Sequence, residues 1–365
     1  MKRTTLLLVL LAVVLLVAGG CTRKITNEVT QVTQDLNSQA CMKCHGDDNI
    51  AIAAAEAQWK NSKHGEGATT VINANVGDGS CERCHTAEGF IAYVTGVPFD
   101  SSHYSSIGCF TCHAPHTTGT LALRVSTPVT LQNGFVFDHG EADLCATCHH
   151  SRQNVNTYVA DSVKLSTRFG PHHGPQGDML AGTGGYQYAG YTYTNSPHTN
   201  VTPDGCINCH MSPSIGNFLG GHTWTMEATT LEGVEQNLTG CNKSTCHSPA
   251  LEDFNFHGIQ DTVNAYTDSL AQALLAAGLV QISIDSSDPG FDTTYAPTAN
   301  KIVKHKDSSG AVYNYMMITE DRSEGVHNTR YALALLKSSL NYILTGDPNG
   351  VVGTIRKQNG LASVR

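Results

Sequence analysis

Six times in this chain a cysteine pair closes on a histidine: CMKCH at Cys41–His45, CERCH at Cys81–His85, CFTCH at Cys109–His113, CATCH at Cys145–His149, CINCH at Cys206–His210 and the stretched CNKSTCH at Cys241–His247. C-x-x-C-H is the spacing that attaches a c-type haem: two thiols add across the porphyrin vinyl groups, and the next residue's imidazole binds the iron. By composition alone the pattern should arise on the order of 0.02 times in a chain of this length. Five unstretched copies are therefore not accidental. The reading is six covalently bound haems c, attached at Cys41 and Cys44, Cys81 and Cys84, Cys109 and Cys112, Cys145 and Cys148, Cys206 and Cys209, and Cys241 and Cys246. His45, His85, His113, His149, His210 and His247 would each bind one iron. Cys-x-x-Cys pairs also build tetrahedral zinc sites, but zinc does not require a histidine directly after every second cysteine. In the sixth motif four residues, Asn242 to Thr245, replace the usual two. A disulfide or a metal ion is the alternative use of that pair.

The chemistry then turns on the opposite side of each iron. Two imidazoles hold iron six-coordinate for electron transfer, whereas an open side admits substrate. Twelve of the eighteen histidines lie outside the motifs, twice the number required. Six have the contexts expected of second ligands: His64 in Trp59-x-x-Ser62-Lys63-His64, His116 just after the third motif, His172 in GPHHGPQ, His198 in NSPHT, His222 in GGHTW and His327 in GVHN. Their glycine and proline neighbours permit the tight, low-bulk turns that bring a ligand close to a porphyrin face. His150 is the nearest reserve, with His103, His139 and His173 behind it, while His257 and His305 read as packing or surface residues. Which histidine serves which iron has no local signature.

Few regular elements are available to position these ligands. At 15% charged residues and 35 glycines the chain is loop-rich, so the expected fold is mostly irregular and organised by its haems, with few short helices and a minor β-hairpin. Residues 52–60 are alanine-rich and read as a short helix. Asn133-Gly134 is a turn signal between apolar pairs, and the alternating tyrosines of GGYQYAGYTYT read as a strand or an aromatic cover over a haem face. Six motifs within residues 41–247 leave little chain for a conventional core, so the row of porphyrins is expected to take its place. Beyond His247, residues 262–279 and 327–344 carry apolar positions at helical spacing, with a polar Asp-, Ser- and Pro-containing loop between them. Residues 248–346 therefore read as a helical hairpin packed on the last haems, and 347–365 as a mobile tail.

The N-terminus carries a separate signal. Met1-Lys2-Arg3 followed by apolar residues 6–17 has the form of a secretory leader rather than a membrane-spanning helix. It ends in Ala18-Gly19-Gly20-Cys21, which resembles a bacterial lipoprotein cleavage box. Cys21 is the single cysteine of thirteen that the motifs do not use. The expected organisation is a leader at 1–20, a lipidated Cys21 opening a polar tether at 21–40, and then the haem region. Net charge is −9 with no basic stripe, so nucleic acid is excluded as a partner.

Together, the haem motifs, the GPHHGPQGDML and NSPHT-to-CINCHM segments and the closing GVHNTRYALALL resemble the multihaem c-type cytochromes of metal-reducing bacteria, in particular the outer-surface and extracellular hexahaem group. The resemblance covers roughly Cys41 to Leu344. It implies bis-histidine haems stacked into a wire, redox proteins of the periplasm or outer membrane and extracellular acceptors as partners, and an exported, lipid-anchored chain at the cell surface. Some relatives polymerise into filaments. A multihaem reductase of a small nitrogen or sulfur compound is the competing reading, and the spare histidines and the lack of any C-x-x-C-K motif weigh against its open iron. The expectation is an electron carrier rather than a catalyst.

Overall fold

The computed structural model describes residues 49–67, 81–98, 104–118, 120–284 and 293–351. The leader, Cys21, the tether and the first motif (Cys41, Cys44 and His45) lie outside the described residues, as do His103 and residues 352–365. Among the described residues no helix is long and apolar enough to cross a membrane.

Helix α1 (Ile50–Lys60) is the alanine-rich segment. Helix α2 (Ala87–Thr95) starts on the Thr86 side chain, which accepts from the Gly89 amide, and stops at Gly96 in the left-handed conformation, the usual device for ending a helix. Between them and the C-terminal region the chain forms helices of four to six residues, several of which are the haem motifs themselves: Glu82–His85, Cys109–Cys112 and Cys206–His210. One helical turn puts cysteines three apart on one face, as two neighbouring vinyl groups demand. Among the described residues all sheets are two-stranded and antiparallel. β1 (Val129–Thr130) pairs with β2 (Val136–Phe137) across the Asn133-Gly134 turn, and β3 (Val163–Lys164) pairs with β8 (Ile302–Val303). β4 (Glu227–Thr230) pairs with β5 (Gly233–Gln236), and β6 (Val280–Ile284) with β7 (Thr293–Pro297).

The C-terminal region is more than a helical hairpin. Three helices, α3 (Ile259–Ala276), α4 (Lys306–Asp321) and α5 (Thr329–Thr345), pack together, with the β6–β7 hairpin between α3 and α4. Part of the expected polar loop is thus helix α4. Its sequence disguises it, because Ser309, Gly310 and Asn314 are buried beside Val312, Tyr313 and Met317 and break the apolar stripe. Nor is the core built from cofactors alone. Leu270, Leu274, Met317, Tyr331 and Leu335 join Val155, Leu165, Phe169 and Met179 from the haem region in one hydrophobic cluster. Truncating one such leucine to alanine costs about 2–5 kcal/mol.

The tyrosine-rich segment forms no strand. It clamps these helices: the Tyr186 amide donates to Asn314 Oδ1 at 2.7 Å, and Asn314 Nδ2 returns a bond to the Tyr186 carbonyl at 2.8 Å. The Tyr186 ring lies so close to Gly310 that a Cβ there would sit 2.1 Å from Cδ1. The aromatic cover therefore faces protein.

Candidate haem-binding site

The candidate ligand histidines are positioned by short, heavily hydrogen-bonded turns. After α1 the chain doubles back: Ser62 Oγ donates to the Trp59 carbonyl at 2.6 Å and accepts from the Gly65 amide at 3.0 Å, which carries His64 off the helix end. Gln58, in the last turn of α1, accepts from the His222 amide at 2.9 Å and donates to Ser214 Oγ at 2.9 Å. The Arg152 amide donates to the Pro171 carbonyl at 2.9 Å, holding the turn in which His172 has a φ of 75°. That left-handed conformation is uncommon outside glycine and often marks a functional position. His198 opens a short helix, and His327 immediately precedes Asn328, whose side chain caps α5 by accepting from the Tyr331 amide.

These turns bring the histidines together in a regular way. Ring centroids lie 6.1 Å apart for His64 and His149, 6.2 Å for His85 and His172, and 6.5 Å for His113 and His222. The same separation is 6.1 Å for His198 and His247 and 6.1 Å for His210 and His327. Each pair joins one motif histidine to one histidine outside the motifs, and no residue is used twice. Two imidazoles on opposite sides of one metal, each bonded at about 2 Å with the ring centre about 1.2 Å beyond the nitrogen, would have centroids about 6.3 Å apart. The donor set therefore fits iron held between two imidazoles. Among the described residues no three of His, Cys, Asp and Glu converge to hold a bare metal ion.

In five of these ten rings Nδ1 is also engaged. Nδ1 of His113 donates to the Leu121 carbonyl at 2.6 Å, that of His198 to the Val326 carbonyl at 2.8 Å, and that of His210 to the Trp224 carbonyl at 2.8 Å. His149 Nδ1 lies 3.3 Å from Gln176 Oε1, and His327 Nδ1 lies 2.7 Å from the carboxylate of Asp321. Each bond leaves the Nε2 lone pair available and fixes the ring plane, which is how metal-bound histidines are usually oriented. Burial pushes His64, His172 and His210 down to about 4, and it lowers His149, His222 and His247 as well. These imidazoles are held neutral, the form that binds iron. His327 is also pressed down by burial, but the adjacent Asp321 charge and hydrogen bond outweigh this and raise it.

The described motifs lie close to one another. The Cys148 thiol donates to the Arg83 carbonyl at 3.6 Å. The thiols of Cys84 and Cys148, and of Cys145 and Cys206, influence one another electrostatically, so the second motif adjoins the fourth and the fourth adjoins the fifth. Burial raises the Cys112 thiol to about 12, with the Cys145 charge adding to it. Burial likewise raises Cys241 to about 11, with help from Cys209. The third motif thus adjoins the fourth, and the sixth adjoins the fifth. Cys81, Cys109 and Cys246 complete the described attachment pairs.

Trp224 was a flanking residue in the sequence and is central here. Its ring meets His64 at 4.8 Å and His222 at 5.7 Å, both edge-on, while its carbonyl holds His210. Its φ of 53° allows ring and carbonyl to serve three different ligand pairs. Asp321 and Asn328 were equally inconspicuous, and only their spacing to His327 could have drawn attention to them.

The remaining described histidines fall elsewhere. His116 packs on Phe110 at 5.6 Å. His150 is buried with Nδ1 on the Ser151 carbonyl at 2.7 Å. His173 meets Glu320 at 2.7 Å, His139 stacks near Phe137 at 4.6 Å, and His257 near Phe256 at 4.0 Å. His305 precedes α4.

Paired histidines behind repeated Cys–Cys–His motifs define the class that this chain resembles, the c-type polyhaem cytochromes. It is 24% identical over 403 residues to the C-type polyheme cytochrome OmcB of Geobacter sulfurreducens strain DL-1 / KN400, covering 92% of this chain and 51% of that protein; OmcB of strain ATCC 51573 / DSM 12127 / PCA matches equally. OmcC of the latter strain is 24% identical over 348 residues, covering 75% of this chain and 44% of OmcC. The chain thus spans about half the length of the curated relatives it matches. No family model matches it, and no solved structure does.

Proposed function

We propose that this chain is an electron carrier of the cell envelope, passing electrons along six covalently attached haems whose irons each lie between two histidines. The observation that carries this reading is the five-fold repetition of a motif histidine facing a non-motif histidine at 6.1–6.5 Å. His45 and His116 are assigned to the remaining haem as the members of the two ligand sets left over. When bound, each haem supplies a one-electron ferric–ferrous couple.

The residues of the chain do the rest. Paired imidazoles keep the coordination number the same in both oxidation states, so little reorganises when an electron arrives. Abutting motifs, as at Cys84 with Cys148 and Cys145 with Cys206, support short edge-to-edge steps between cofactors. Closed irons exclude substrate, and the chain then works as a conductor rather than a reductase.

Export by the N-terminal leader and lipidation at Cys21 are part of the same reading, with redox proteins of the envelope as donors and an extracellular acceptor as the outlet. Low-temperature electron paramagnetic resonance of the oxidised holoprotein should show low-spin ferric iron throughout, and intact mass should exceed the polypeptide by six haems. A substantial high-spin ferric signal would overturn the conductor, and a mass short by one haem would overturn the count.

A further inference from the structure

Resting on the assignment of His210 and His327 to one iron, we infer that Asp321 tunes that haem, lowering its reduction potential. The geometry is specific. Asp321 closes α4, His327 follows in the turn before α5, and Asp321 Oδ1 lies 2.7 Å from His327 Nδ1 with the carboxylate side chain only 2% exposed. Ser323 Oγ donates to the second carboxylate oxygen. Among the described residues the partners of the carboxylate are thus an imidazole and a hydroxyl, and neither a lysine nor an arginine forms an ion pair with it.

The contrast lies with the other four imidazoles whose Nδ1 partners were described above. His113, His198 and His210 donate to main-chain carbonyls, and His149 faces the neutral amide of Gln176. His327 alone in that set faces a formal negative charge. A carboxylate accepting from Nδ1 draws the proton toward itself, gives the ring anionic character and makes Nε2 a stronger donor. Both this and the buried charge itself stabilise the ferric ion over the ferrous one, since Coulomb interactions are strong where water is excluded.

Reduction would add one electron to the iron and would form or break no bond. The effect is therefore a shift in potential without a change of ligand. A centre of this kind, beside the fourth and sixth motifs through Cys145–Cys206 and Cys209–Cys241, sets a step in the electron path.

The test is spectroelectrochemical titration of the holoprotein carrying Asp321→Asn, an isosteric change that keeps an acceptor on Nδ1 and removes the charge. One midpoint potential should rise while the other components stay in place, with every iron still low-spin. His327→Met, which replaces the axial ligand, identifies which component belongs to this haem, because methionine raises the potential of the iron it binds. The same component must move in both variants. An unchanged titration in Asp321→Asn, movement of a component other than the one that His327→Met displaces, or a high-spin signal showing that Asp321 only holds the ring would each overturn the tuning role. If His327→Met leaves every potential where it was, the ligand assignment itself falls.

Discussion

Replacing Asn328 by alanine should loosen two haem sites at once, because one fully buried side chain joins the turns that carry His198 and His327. Asn328 Oδ1 accepts from the Ser196 amide at 2.8 Å and from the Tyr331 amide at 3.3 Å. Its Nδ2 donates to Asn195 Oδ1 and Thr199 Oγ1, both at 3.1 Å. Loss of the helix cap on α5 costs about 1 kcal/mol. Stranding the Ser196 amide in a buried place adds about 1–3 kcal/mol. For a total of about 3 kcal/mol in a chain of 365 residues, the thermal midpoint of the holoprotein should fall by about 4 °C. The structural part of the argument makes a sharper demand: ligand loss must appear at the irons served by His198 and His327, and nowhere else. Paramagnetic resonance of the oxidised variant would show this as a high-spin ferric signal accounting for two of six irons at most. A midpoint within about 1 °C of the native one, or high-spin iron spread across the whole set, would refute the role of Asn328 as the joint between these turns.

Two further outcomes follow from the same geometry. Asp178 is buried and pushed up to about 6 from 3.8, chiefly by burial, although it accepts from the Ser151 amide at 2.6 Å. Its raised value means that folding favours the protonated acid, so this contribution is fully present below pH 3.8 and is lost as the pH rises through about 6. The loss amounts to about 3 kcal/mol, and Asp178→Asn should remove that slope from a denaturant-unfolding series between pH 4 and 7; an unaltered slope would show that another group carries it. Trp224→Leu removes edge contacts to His64 and His222 worth about 1 kcal/mol each but keeps the carbonyl that holds His210. Two low-spin signals should therefore broaden or shift while that of the His210 iron does not, and a uniform change in all signals would sink the proposed division between ring and carbonyl.

How much of this was legible depends on how far apart in the chain the cooperating residues lie. The motif histidines stand out as candidates because cysteine and imidazole are contiguous, and the five outer histidines that face them through the glycine and proline turns around them, whereas His116 packs on Phe110. The pairing could not be read: His64 meets His149, His113 meets His222 and His210 meets His327 across separations with no common period. Helix α4 was hidden for a different reason. Its inward face carries Ser309, Gly310 and Asn314 because Tyr186 needs a glycine beneath its ring and an amide to bond, so side-chain polarity misreports burial. Asn328, Asp178 and Asp321 obey the same logic. A fold that must hold many ligand turns within about an ångström cannot rely on apolar packing alone, which is tolerant of sliding. It uses buried polar joints with fixed directions, and those joints look like solvent-facing residues until the two chain segments they connect are seen side by side. The residues that decide the rigidity of the ligand turns are therefore the ones least visible in a hydrophobic pattern, and substitutions at Asn328 or Asp321 should disturb the irons more than substitutions at exposed positions nearer the cysteines.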